Sequence, residues 1–185
     1  MNHFYEKIGE DWFTYSLLYS KMVKEAPSEA RFVEVGSWKG RSSAYMGVEI
    51  HNSGKKIHFD CVDTWMGSIE HQNDPFVLSD MLYFEFLKNT ESLRHIIRPI
   101  RSTSLDAAKL YGDESLDFVF IDASHEYEDV MNDIITWFPK VKNGGVISGH
   151  DYRGDFPGVV RAVNDFFEQK NIKFEQFLDC WTYKK

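Results

Sequence analysis

At the start of the chain apolar positions recur at helical period. Tyr5, Ile8, Trp12, Tyr15, Leu18, Tyr19 and Met22 fall on one side, which predicts an amphipathic helical layer from Phe4 to about Glu25. The pattern then changes to short apolar runs separated by helical stretches. Arg31 to Val35, Ile57 to Val62, His95 to Ile100, Phe118 to Ile121 and Val146 to Ser148 read as strands. Gly40 to His51, Leu78 to Leu93, Ser104 to Tyr111, Glu126 to Val141 and Gly158 to Lys170 read as helices between and after them, with Pro157 suited to a first helical turn. This βαβ rhythm implies a doubly wound, mostly parallel sheet covered on both faces. From Ile172 to Lys185, Phe174, Phe177, Trp181 and Tyr183 fit an antiparallel terminal hairpin at the sheet edge.

Length and composition bound the rest. A chain of 185 residues with 43% hydrophobic content supports one sizeable core, so we expect a single domain over 1–185, with a helical layer over 1–28 and a core from 30 to 185. No run of 18 apolar residues exists and Met1 to Asp11 is mixed and charged, so a cytoplasmic protein without membrane span or signal peptide is expected. A net charge of −8 with scattered Lys and Arg disfavours nucleic-acid partners. Cys61 and Cys180 fall within separate strands and read as buried, inert thiols. The five tryptophans, Trp12, Trp38, Trp65, Trp137 and Trp181, read mainly as core, with a flat or sugar-like ligand as the competing explanation for some of them.

The segment Phe32-Val33-Glu34-Val35-Gly36-Ser37-Trp38-Lys39-Gly40-Arg41-Ser42 carries the first chemical signal: an apolar strand runs through a glycine turn into a helix. Gly36 permits the reversal and Gly40 a close approach to the backbone. The G-x-x-x-G spacing matches neither the dinucleotide fingerprint G-x-G-x-x-G nor the phosphate loop G-x-x-x-x-G-K-[ST], which points to a nucleotide-like ligand without a pyrophosphate. In a doubly wound sheet such a ligand lies outside the carboxyl ends of the strands. Asp63, at the second strand end, suits a ribose diol. Asp122, Ser124, His125, His150 and Asp151 follow two further strands; two carboxylates and an imidazole there suit a divalent cation such as Mg²⁺ or Mn²⁺, and His125 suits proton abstraction near neutral pH. Asp133 reads as a residue that buttresses this site from behind.

With these residues in view the chain resembles the class I S-adenosylmethionine-dependent methyltransferases, more narrowly the macrocin-type and related sugar O-methyltransferases. The pieces are Glu34-Val35-Gly36-Ser37 with Gly40-Arg41-Ser42, then Val62-Asp63, Arg101-Ser102-Thr103-Ser104, Phe120-Ile121-Asp122-Ala123-Ser124-His125, Asp133, and Gly144-Gly145 leading to His150-Asp151-Tyr152. The resemblance implies a Rossmann-like seven-stranded sheet with a reversed terminal strand. It implies the methionine part of S-adenosylmethionine against Glu34, Gly36 and Ser42, the ribose on Asp63 and adenine near Thr103 and Ser104, with Ser37, Gly40 and Asp122 completing the cofactor set. It also matches Asp122, His150 and Asp151 to the positions that hold a divalent ion, although His150-Asp151 stands where those enzymes commonly have Asp-Asp or Asp-Asn. Asp122 and His125 are then the catalytic candidates, and the expected reaction is O-methylation of a small hydroxylated acceptor: a sugar, a polyketide-like compound or a phenol.

Two other classes compete. A non-catalytic binding or assembly domain would account for Ser124 and His150, and an NAD-type oxidoreductase would need the glycine this turn lacks. With no inserted cap domain in so short a chain, acceptor contacts are expected from the N-terminal helix, the Trp65 to Pro75 loop and the Tyr152 to Pro157 loop, or from a second subunit of a homodimer or larger assembly.

Overall fold

The alternating apolar runs form one seven-stranded sheet of order β3-β2-β1-β4-β5-β7-β6 in the computed structural model, which describes every residue but Glu70. The strands are β1 (Arg31–Val35), β2 (His58–Asp63), β3 (Ile97–Arg101), β4 (Leu116–Ile121), β5 (Val141–Gly149), β6 (Glu175–Phe177) and β7 (Cys180–Lys184). The first five pair in parallel, and β7 runs antiparallel to both β5 and β6, as the terminal hairpin required. The helices are α1 (Ser16–Glu25), α2 (Arg41–Ser53), α3 (Pro75–Leu78), α4 (Leu82–Thr90), α5 (Ser104–Ala108), α6 (Tyr127–Trp137) and α7 (Pro157–Gln169). None among the described residues is long and apolar enough to cross a membrane.

Because successive strand residues face opposite sides, each strand feeds two cores. Phe32, Phe59, Cys61, Phe118 and Phe120 join one core with Leu18, Tyr19 and Phe86 from α1 and α4. Val33, Val35, Val62, Val119 and Ile121 join the other with Ile134 and Phe166 from α6 and α7. The first core is laminated by aromatic rings: Tyr19 meets Phe118 and Phe120 edge-on with centroids 6.0 and 5.0 Å away. Trp65, Trp137 and Trp181 are buried in these layers, whereas Trp12 is 53% exposed. Both cysteines are buried thiols, and burial pushes both up.

Two helical expectations are corrected. The first stretch is not one helix from Phe4 to Glu25: a 3-10 turn at Tyr5–Lys7 is followed by a non-helical strap, and α1 begins only at Ser16. Gly9 adopts φ +55°, and the acidic side chains of Glu10 and Asp11 are drawn onto Lys39 and Arg41, which outcompetes a helical turn of Gly, Glu and Asp. The second, from Leu78 to Leu93, breaks at Asp80, whose φ is +54°, so that α3 and α4 are separate. Asp74 caps α3 by accepting the Phe76 N–H, with Pro75 at the first helical position.

Sequential strands β1, β2 and β3 wind one way and β4 and β5 the other, so the switch point lies between β1 and β4. There the chain leaves each strand while still tied to its neighbour: Gly36 N–H donates to Val62 O (2.8 Å), Asp122 N–H to Val35 O (2.7 Å) and His150 N–H to Ile121 O (3.0 Å). The polar strand ends are therefore held in a row.

Candidate active site

Gly36 is fixed by its surroundings. Its φ is +88°, and a Cβ added to it would lie 2.0 Å from the carbonyl oxygen of Asp122, so only glycine lets the turn after β1 touch the turn after β4. The Asp63 carboxylate locks that turn: Oδ2 accepts the backbone N–H groups of Ser37 (2.8 Å) and Trp38 (2.9 Å), and Oδ1 accepts that of Trp65 (2.7 Å). A carboxylate has about four acceptor positions. Three are used by the backbone, and about one position remains for a ligand hydroxyl.

A cleft of about 590 Å³ opens above this switch point, a size suited to a small-molecule site. Gly36, Ser37, Ser42, Asp63 and Ser104 border it on one side and Asp122, His125, His150 and Asp151 on the other, so the two groups of residues read separately from the sequence share one cavity. Glu34, Gly40 and Thr103 do not border it. Glu34 is buried beneath the turn, where Tyr19 Oη, Ser37 Oγ and Ser43 Oγ all donate to its carboxylate. Burial pushes its pKa up, against those hydrogen bonds, which lower it. Gly40, with φ +89°, makes room for α4: its Cβ would sit 3.0 Å from both Phe86 and Thr90. Thr103 caps α5 by accepting the Asp106 N–H. These three residues shape the cleft from behind.

The catalytic candidates are interlinked. His125 Nε2 lies 2.9 Å from Asp151 Oδ2. His150 Nδ1 lies 3.4 Å from the same oxygen and 3.5 Å from Asp122 Oδ1, and its Nε2 is 3.0 Å from Thr14 Oγ1. Burial alone would lower the His150 pKa, but the carboxylates of Asp122 and Asp151 outweigh it and push it up to about 10. Asp151 is correspondingly held well below the usual carboxylate range: burial opposes ionisation, and the hydrogen bonds of His125 and His150 overcome it. His150, expected as a metal ligand, bridges Thr14 and the carboxylates of Asp122 and Asp151, and the groups whose ligand atoms lie within 4.8 Å of one another among the described residues are Asp122, His125 and Asp151. Those oxygen and nitrogen donors fit a hard or borderline divalent ion. Asp133 lies behind the cleft, accepting from Ser104 Oγ (2.5 Å), which in turn accepts from Trp137 Nε1 (2.8 Å).

The N-terminal strap completes the wall, and the helical reading of the sequence hid this. Thr14 holds His150, and Tyr15 Oη donates to Asp122 Oδ2 at 2.8 Å. Lys39 Nζ ties the strap to the segment before α3, bonding Glu10 Oε1 at 2.7 Å and Asp74 Oδ2 at 2.9 Å. Trp12 and Trp38 gather around His71 at the cleft, with centroids 5.5 and 4.4 Å from its ring. The strap, the segment after β2 and the segment after β5 all contribute to the lining.

This set of groups fits a cationic nucleoside with an amino-acid tail. The carboxylates of Asp63 and Asp122 suit hydroxyls and positive charge, and the hydroxyls of Ser42 and Ser104 suit either role.

Residues 33–152 match the family model described as a methyltransferase domain. A stretch of 121 residues is 27% identical to the uncharacterized protein y4gI of Sinorhizobium fredii, covering 65% of this chain but 13% of that much longer protein. The O-methyltransferase NovP superposes with a TM-score of 0.71 at 17% identity, over 92% of this chain and 78% of that one. An O-methyltransferase from Bacillus cereus, solved in complex with SAH, gives 0.62 at 16% identity over the same shares. At these identities the structural likeness is one of fold. The family match spans well over half of the chain, so the protein belongs to the methyltransferase-domain family.

Proposed function

We propose that the protein is an S-adenosylmethionine-dependent O-methyltransferase acting on a small hydroxylated acceptor, of the sugar, polyketide-like or phenolic kind. One observation carries the assignment to oxygen: an imidazole paired with a buried carboxylate, His125 with Asp151, stands in the same cleft as the glycine turn. When bound, S-adenosylmethionine supplies a methyl group already activated on a sulfonium sulfur, so no protein nucleophile is needed and positioning and proton removal are the protein's tasks. Asp63 holds the nucleoside side and Ser42 the methionine side, and Asp122, fixed by Tyr15, faces the reacting centre. His125 would take the proton of the acceptor hydroxyl as the carbon–oxygen bond forms and the methyl–sulfur bond breaks, its electron pair leaving with the neutral thioether, and Asp151 would stabilise the imidazolium that results. The strap from Gly9 to Tyr15 lines the cleft beside these groups.

A second reading is favoured by the convergence of Asp122, His125 and Asp151: these residues would hold a divalent cation, which would acidify the acceptor hydroxyl. Transfer of labelled methyl from S-adenosylmethionine to a panel of sugars and phenols, with and without a chelator, tests both. The first reading expects chelator-resistant turnover reduced about 10²- to 10⁴-fold in His125→Ala, the usual contribution of a general base. Chelator-sensitive turnover favours the second. Binding of S-adenosylhomocysteine without turnover on any acceptor would leave a cofactor-fold binding domain.

A further inference from the structure

We infer that Trp12 sets acceptor specificity by stacking on a flat aromatic ring, so that the site takes a phenolic acceptor in preference to a sugar; the inference rests on the methyltransferase reading above. Trp12 borders the cleft yet stays 53% exposed. An indole contributes most when its faces are covered, and an open one at a small-molecule cleft is a surface for a ligand to cover.

The ring is backed by two others. Trp12 lies 6.3 Å from Trp38 and 5.5 Å from His71, with interplanar angles of 33° and 31°, and Trp38 lies 4.4 Å from His71 at 36°. These backing rings are anchored: Trp38 Nε1–H donates to Glu10 Oε2 at 3.1 Å, and His71 Nδ1 lies 2.7 Å from Ser68 Oγ. The open surface of Trp12 is the part they leave uncovered. Thr14 follows two residues along the strap, with its Oγ1 3.0 Å from His150 Nε2. Two residues of extended chain span at most about 7 Å, so Trp12 stands beside the groups that would hold the acceptor hydroxyl.

The chemistry around the ring selects the class. A sugar stacked on an indole also needs polar partners for its several hydroxyls. The two carboxylates that precede Trp12 are engaged elsewhere: Glu10 Oε1 accepts from Lys39 Nζ at 2.7 Å, and Asp11 Oδ1 accepts from Arg41 Nη2 at 2.5 Å. A flat ring makes no such demand, and offset stacking adds to what its area burial contributes.

Titration of the protein saturated with S-adenosylhomocysteine tests the assignment, with catechol as the aromatic probe and methyl glucoside as the sugar probe. We expect catechol to bind more tightly than methyl glucoside. Trp12→Leu, which keeps apolar bulk without a ring, should weaken catechol about 3- to 10-fold, whereas Trp12→Phe should retain most of the affinity and both should bind S-adenosylhomocysteine as the unmodified protein does. Tighter binding of methyl glucoside, no binding of catechol, or equal catechol affinity in the leucine variant would overturn the inference. So would an equal loss of S-adenosylhomocysteine affinity in Trp12→Leu, which would place the ring on the cofactor. Failure of S-adenosylhomocysteine to bind the unmodified protein would instead overturn the cofactor reading itself.

Discussion

At the scale of single residues, burial decides which polar groups are chemical and which are architectural. Asp133 illustrates the second kind. It is buried beneath Ser104, and burial pushes its pKa up to about 6, the Ser104 hydrogen bond working in the opposite direction. A carboxyl that titrates higher in the folded state than in the unfolded one stabilises the fold fully below about pH 4 and loses that contribution as pH rises to about 6. Asp133→Asn does not titrate. Urea unfolding at pH 4 and pH 7 is therefore expected to move the stability gap between variant and wild type by about 2–3 kcal/mol in favour of asparagine at the higher pH. A gap that stays constant would mean that the Asp133 carboxylate is solvated. Much at this scale was legible in sequence: Gly36, Asp63, Asp122, His125 and Asp151 all border the cleft because strand ends are readable and a doubly wound sheet aligns them. What was not legible is which lone pairs remain after folding. Asp63 is partly consumed by three backbone donors and His150 by two carboxylates and Thr14, contacts that form only in three dimensions.

At the scale of elements, the strap and the segment before α3 behave as one unit because a single ammonium joins them. Lys39 sits between Glu10 and Asp74 with its side chain 8% exposed and stacks over Trp38 and Phe76 at 5.2 and 5.1 Å. Replacing it by methionine keeps the apolar stem and strands two carboxylates. We expect Lys39→Met to cost about 2 kcal/mol, less than the about 3–5 kcal/mol of a fully buried broken ion pair because Glu10 is partly solvated. Amide exchange should accelerate over Gly9 to Tyr15 while β1 and β4 stay protected. Exchange in the strap that matches wild type would show that Thr14, Tyr15 and Arg41 anchor it unaided. The strap escaped the sequence reading because Tyr5, Ile8, Trp12 and Tyr15 do recur at helical spacing. Periodicity of apolar residues does not fix their burial: in the strap Ile8 and Tyr15 are buried, but Trp12 lies exposed at the cleft. The strands were less ambiguous, since β-branched and aromatic runs between turns have few alternatives, although β5 starts at Val141, five residues before the expected Val146 and at the end of the expected helix.

At the scale of the whole molecule, the order of the sheet places one cleft at one switch point and brings the polar ends of β1, β2, β4 and β5 to its floor. The N-terminal strap, outside the residues matched by the family model, supplies the opposite wall and two of the hydrogen bonds that orient the catalytic groups. The central claim is that this cleft takes a sulfonium nucleoside and not a dinucleotide. Calorimetric titration of the purified protein with S-adenosylhomocysteine and, separately, with NADH tests it directly. One equivalent of S-adenosylhomocysteine per chain at micromolar affinity, weakened in Asp63→Ala and with no heat from NADH, is the predicted result. Binding of NADH, or no heat from either ligand, would contradict the account.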